Sequence, residues 1–220
     1  MTVRGTTLRW CPPACSSLSQ VLTGLLTQHE ALGTAGALPL ALGMAEYVFA
    51  RAVASRAAHG EAHWAEGLNY EVGALSELYA ALARATRNAS WLTAAALFDR
   101  RCFTGPLALA ATLHGTGGGG GGGGGEEVVP ALDEPQSEAE AAVADSAFEG
   151  MHANAQLAYV LGAAELYLAT GEVRARDAAV GFWRQLQRAY AYLTGGSSFQ
   201  EERRAPNAQP PAPQPRRATS

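Results

Sequence analysis

The sequence predicts an all-α protein built from antiparallel helical hairpins stacked side by side. Apolar residues recur at helical spacing: Leu68, Val72, Leu75, Tyr79 and Leu82 form one stripe, and Leu157, Val160, Leu161, Ala164 and Leu168 form another. Glu77-Leu78-Tyr79 returns as Glu165-Leu166-Tyr167 in a similar setting, a small-residue run before it and a turn and an aromatic-bearing helix after it. No stretch alternates polar and apolar residues as a half-buried strand would.

Each hairpin follows from its punctuation. The first joins a helix of roughly Ser17 to Glu30 to one of roughly Ala37 to Arg56 through Leu32-Gly33-Thr34. The second opens at Leu68 and turns at Arg87-Asn88-Ala89-Ser90, with Ser90 placed to cap a return helix carrying Trp91, Ala95 and Phe98. The third opens near Gly150 and turns at Thr170-Gly171-Glu172, where Gly171 suits the left-handed end of a helix. It returns through Ala175, Ala179, Phe182, Leu186 and Ala189. Both stripes are expected to face the core. Short connections make partners antiparallel, and small residues such as Ala74, Ala80, Ala81 and Ala163 let helices approach closely. Six helices in three hairpins fit an α-solenoid or an α/α toroid, and periodicity does not choose between them.

Composition sets the boundaries. Of 220 residues, 48% are hydrophobic and 16% charged, which is enough apolar surface for a real core. Residues 115–145 differ from the rest: nine glycines, Gly117 to Gly125, precede a run rich in acids and free of bases, so this stretch is expected as a disordered insertion. Residues 203–220 are Pro-rich and read as a disordered tail, and residues 1–16 as an N-terminal extension. The helical domain is thus 17–114 with 146–202.

Several function classes are disfavoured. The net charge is −4 and no basic stripe stands out, so nucleic acid is not expected as a partner. The apolar run from Leu38 to Phe49 is interrupted by Glu46 and falls short of the roughly 20 residues of a membrane span, and no signal peptide is visible. Localisation stays open. Cys11, Cys15 and Cys102 are too few for a disulfide framework, and no further soft ligand lies near the first two in sequence.

Polar residues gather where the first helix of a hairpin begins: Asn69-Tyr70-Glu71 in the second, and His152-Ala153-Asn154-Ala155-Gln156 in the third. If those helices form an inner ring, their N-termini open at one end, where free N–H groups favour oxygen-rich ligands. His152 and Gln156 share one helical face. After the third hairpin, Gly195-Gly196 permits a sharp turn that would carry Glu201 back to that end as a general acid. On spacing alone, His152 also suits a plain helix-start residue, and Glu201 a solvated charge beside Glu202, Arg203 and Arg204.

Five segments in order resemble the β-L-arabinofuranosidase-like glycoside hydrolases of family 127, in particular the plant-type branch. They are Gly24-Leu25-Leu26 with Ala45-Glu46-Tyr47, Leu68-Asn69-Tyr70-Glu71-Val72-Gly73, Ala96-Leu97-Phe98-Asp99-Arg100-Arg101-Cys102-Phe103, His152-Ala153-Asn154, and Tyr192-Leu193-Thr194-Gly195-Gly196. The resemblance implies that the three hairpins are about half of an (α/α)6 toroid. It implies a sugar pocket for a terminal arabinofuranosyl-type unit, lined by His152, Asn154, Gln156 and Glu71, with Glu201 as acid/base. Such enzymes use a zinc-bound cysteine thiolate as nucleophile. Its ligands follow the acid/base glutamate in the family, and no Glu-x-Cys segment follows Glu201 here, so neither zinc nor a catalytic thiolate is expected in this chain. Cys102 matches an outer-helix packing cysteine. The expectation is therefore a glycosidase-like fragment, inactive alone and prone to self-association through open toroid edges. The alternative is a non-enzymatic helical-hairpin binding module.

Overall fold

The computed structural model of the chain describes residues 14–68, 74–117, 138–148, 153–191 and 196–197. Every regular element among them is helical: α1 (Ala14–Leu32), α2 (Ala37–Gly67), α3 (Ala74–Thr86), α4 (Trp91–Leu97), α5 (Arg101–Gly117), α6 (Glu138–Phe148), α7 (Ala153–Thr170) and α8 (Val173–Gln185), the last continued by a π-helical turn over Leu186–Tyr190.

The hairpin turns share one device. Gly33 ends α1 at φ +63°, its N–H donating to the His29 carbonyl at 3.0 Å. Gly171 ends α7 at φ +72°, its N–H donating to the Tyr167 carbonyl at 2.7 Å. A left-handed residue there satisfies a helix carbonyl and reverses the chain. Arg87 takes the same role after α3 at φ +54°, where a side chain is strained. Ser90 does not cap α4 as expected. Its backbone is already helical and its side chain makes no capping bond, whereas a cap needs an extended backbone to fold its oxygen over the first turn. The Ser90 N–H donates instead to Asn88 Oδ1 at 3.0 Å, so Asn88 shapes this turn.

Helix α2 runs past Arg56 because Gly60, at φ 84° and ψ 173°, bends it without ending it. Leu68, expected to open the next helix, closes this one by donating its N–H to the Trp64 carbonyl at 3.1 Å. By length and composition α2 is long and apolar enough to cross a membrane. Its Ala41, Ala45, Val48 and Ala52 row is nonetheless part of a protein core shared with Leu22, Leu75 and Tyr79, and the Tyr79 hydroxyl donates to the Ala45 carbonyl at 2.7 Å.

Part of the stretch expected as a disordered insertion is helical. Helix α5 reaches Gly117 and α6 begins at Glu138, so residues 138–145 are helical, and 118–137 lie outside the described residues. The reason is burial: Glu140, which reads as a solvated acid, pairs with Arg184 of α8 at 4.0 Å with both side chains almost wholly enclosed. Ala144, Ala147 and Phe148 bury beside it. In place of the six helices expected there are thus eight among the described residues. Helices α4 and α5 together make the second hairpin's return, and α6 leads into α7.

Two aromatic cores hold the structure. Tyr79 stacks on Trp91 and Phe98 in the first, with ring centroids 5.8 and 5.6 Å apart. In the second, Phe148 stacks on Phe182 at 5.2 Å and on Tyr190 at 4.6 Å. They join where α3 lies along α7, and α5 lies along α8 within the second. One row therefore runs α1, α3, α7 and the other contains α5 and α8, the layered packing of stacked hairpins in an α/α toroid. One expectation reverses: Leu157, Leu161 and Leu168, read as a core stripe, are 44%, 51% and 62% exposed. The core face of α7 is Tyr159, Gly162, Ala163 and Leu166.

Candidate functional site

Helices α3 and α7 run parallel. The Tyr159 hydroxyl donates to the Leu68 carbonyl, Gly162 lies against Ser76 and Glu77, and Glu165 pairs with Arg84 at 3.0 Å. Partners thus advance together along both segments, which places the starts of α3 and α7 at the same end. The Gly162 contact is close enough that a β-carbon there would sit 3.0 Å from Ser76 Cβ. Burial pushes the Tyr159 hydroxyl well above its ordinary pKa, so it stays a donor to Leu68.

The exit from the third hairpin arrives at this end too. Helix α8 is antiparallel to α7 across the tight Gly171 turn, and its π-helical turn is closed by the Ala191 N–H donating to the Leu186 carbonyl at 2.8 Å. Tyr190 at its end stacks on Phe148, whose carbonyl accepts a 3.1 Å bond from Gln156 Nε2 in the first turn of α7. Asp145 of α6 ties the turn down: Tyr190 Oη donates to its Oδ1 at 3.1 Å, Gln185 Nε2 donates to the same oxygen, and Arg188 lies 3.6 Å from Oδ2. From Ala191 the chain enters Tyr192-Leu193-Thr194-Gly195-Gly196.

The site residues expected from the sequence divide as follows. Asn154 is exposed in the first turn of α7. Gln156 is fully buried and ties α7 to the end of α6. Glu71, His152 and Glu201 lie outside the described residues. Asp145 was missed, because its acidic, Gly-rich surroundings masked a partner set on α8 and the π-helical turn that no local spacing reveals.

A second feature sits lower on the α3 and α7 contact. The Glu77 carboxyl is held above its ordinary pKa, first by burial and then by the neighbouring charge of Glu165, the residue that repeats it in sequence. Arg84 supplies the compensating charge to Glu165.

Zinc does not fit the described residues. No group of three or more His, Cys, Asp or Glu side chains among them is placed to hold a metal ion. Cys102 lies exposed in the first turn of α5, with Arg100 Nε 3.2 Å from its sulfur, and Cys11 lies outside the described residues.

Parallel inner helices, an outer row antiparallel to them and a hairpin exit at their leading end are the frame of a helical-hairpin glycosidase domain. The chain matches the family model of the β-L-arabinofuranosidase, GH127 catalytic domain over residues 5–216. It belongs to that family of glycoside hydrolases. No curated protein and no solved structure matches it.

Proposed function

We propose that this chain forms the acid/base side of a β-L-arabinofuranosidase-type site and binds a terminal arabinofuranosyl-type sugar at the leading ends of α3 and α7. The observation that carries the reading is the meeting of three features at one end: the start of α7, the start of α3 and the exit of the π-helical turn at Ala191. In sequence His152 directly precedes α7, Glu71 lies three positions before α3, and Glu201 follows the exit by ten positions. Asn154, exposed in the first turn of α7, is a hydrogen-bonding group for sugar hydroxyls. Glu201 takes the position of the general acid, the group that would protonate the leaving oxygen were a nucleophile supplied to the anomeric carbon.

General acid catalysis alone contributes about 10² to 10⁴ in rate, far less than double displacement with a nucleophile supplies. Binding without turnover is the expected behaviour of this chain. Saturation-transfer NMR with methyl β-L-arabinofuranoside tests it. A signal for the wild type that is lost in His152→Ala, with a nitrophenyl β-L-arabinofuranoside left unhydrolysed, supports the proposal. No signal at millimolar sugar from a folded wild type overturns it.

A further inference from the structure

The face by which α3 holds α7 recurs on α7 itself. On α3 it is the line Ser76, Ala80 and Arg84: Ser76 meets Gly162, and Arg84 pairs with Glu165. Moved on by the interval that separates Glu77 from Glu165, the first two positions of this line become Ala164 and Leu168 on α7, continuous at helical spacing with Leu157 and Leu161, and the third falls beyond the Gly171 turn that ends the helix. On α3 the face is covered by the next helix of the row. On α7, Leu157, Leu161 and Leu168 are exposed, and no described element covers them. They form an apolar patch of the kind that marks an association surface.

The other end of the row carries a second such patch. On α2, Leu40, Met44 and Tyr47 follow one another at i, i+4 and i+7, beside the buried Ala41, Ala45, Val48 and Ala52 row, with Met44 packing partly against that core. Leu40 and Tyr47 are 56% and 61% exposed and flank an open groove formed with Leu18, Pro39, Gly43 and Val48, with no charged residue in its lining. The two patches lie at opposite ends of the row α1, α3, α7, so one copy's pair does not meet within that row.

We propose that the chain self-associates head to tail, the α7 stripe of one copy docking in the α1 and α2 groove of a second copy. The occupant follows from continuity with the contact already present: the stripe is the repeat of a face that accepts a neighbouring hairpin, and a second copy offers a hairpin with an uncovered apolar groove. The two surfaces differ, so the contact is heterologous and leaves each copy able to make it twice, once with each edge. The inference does not rest on sugar binding.

Light scattering on size-separated full chain at micromolar concentration tests it, using two double variants at exposed positions, L161E/L168E and L40E/Y47E, with circular dichroism to confirm helicity. The expected results are a mass of at least two chains for the wild type, a monomer mass for each variant alone at low loading, and a dimer when the two variants are mixed. The mixture regains mass because one intact stripe meets one intact groove. A monomeric wild type, a variant that keeps the wild-type mass, or a mixture that stays monomeric overturns the proposal.

Discussion

Gly181 of α8 packs so tightly on α5 that a β-carbon at that position would overlap the main-chain carbonyl of Leu107. The atom in the way is backbone, so α5 or α8 must shift as a unit to admit it. Gly181→Ala gains about 1 kcal/mol of helix propensity and loses more to overpacking, itself typically 1–3 kcal/mol. The expected outcome is a net loss on the order of 1 kcal/mol in urea denaturation. Unchanged or higher stability would mean that α5 and α8 do not approach this closely.

Arg87 gives a prediction of opposite sign. It holds a left-handed backbone at the position where the other two hairpin turns place Gly33 and Gly171. A left-handed side-chain residue costs roughly 1–2 kcal/mol, and the added freedom of glycine in the unfolded chain returns about 0.4–1. Arg87→Gly should therefore stabilise the protein by on the order of 0.5–1 kcal/mol, read from the same denaturation curve.

The Glu140 and Arg184 pair tests whether α6 belongs to the folded domain. Both side chains are enclosed, so removing one leaves the other charge buried with its remaining partners only. Arg184→Met is expected to cost about 3–5 kcal/mol, and the double variant Glu140→Leu with Arg184→Met to recover most of it. A negligible cost for Arg184→Met would mean that α6 is not held in the domain by this pair.

Glu77 makes stability depend on pH. Its folded pKa is raised by burial and by Glu165, so the folded state holds the proton more tightly than the unfolded chain does. The stabilising linkage is present in full below the unfolded value, near 4.3 for glutamate, and is lost as pH rises through the folded value. Glu77→Gln should match or fall below the wild type at low pH and exceed it at neutral pH. Denaturation curves at the two ends of that window check the crossover, and a variant less stable than wild type at neutral pH would contradict it.

Much of the fold was legible in the sequence because helices announce themselves locally. Gly171 ended its helix as expected, and Trp91, Ala95, Phe98, Phe182 and Leu186 all bury. The departures came where the deciding partner lies far along the chain. Glu140 reads as a solvated acid until Arg184 is beside it, and Leu161 reads as core until Gly162 proves to be the residue facing α3. Periodicity finds an apolar stripe without saying whether a neighbour covers it. The candidate site divides in the same way: Asn154 is exposed where helix-start logic put it, whereas Gln156 turned inward to the Phe148 carbonyl, an orientation its i, i+4 relation to His152 did not reveal.

The proposed site requires the carboxylate of Glu201 to return to the leading end of α7. Spin labels at His152→Cys and Glu201→Cys, with Cys11, Cys15 and Cys102 changed to Ser, measure it by pulsed dipolar spectroscopy. One dominant separation is expected, well below the length of α7, about 27 Å at 1.5 Å per residue. A separation at or beyond that length would place Glu201 away from the α7 start and overturn its assignment as the general acid of this site.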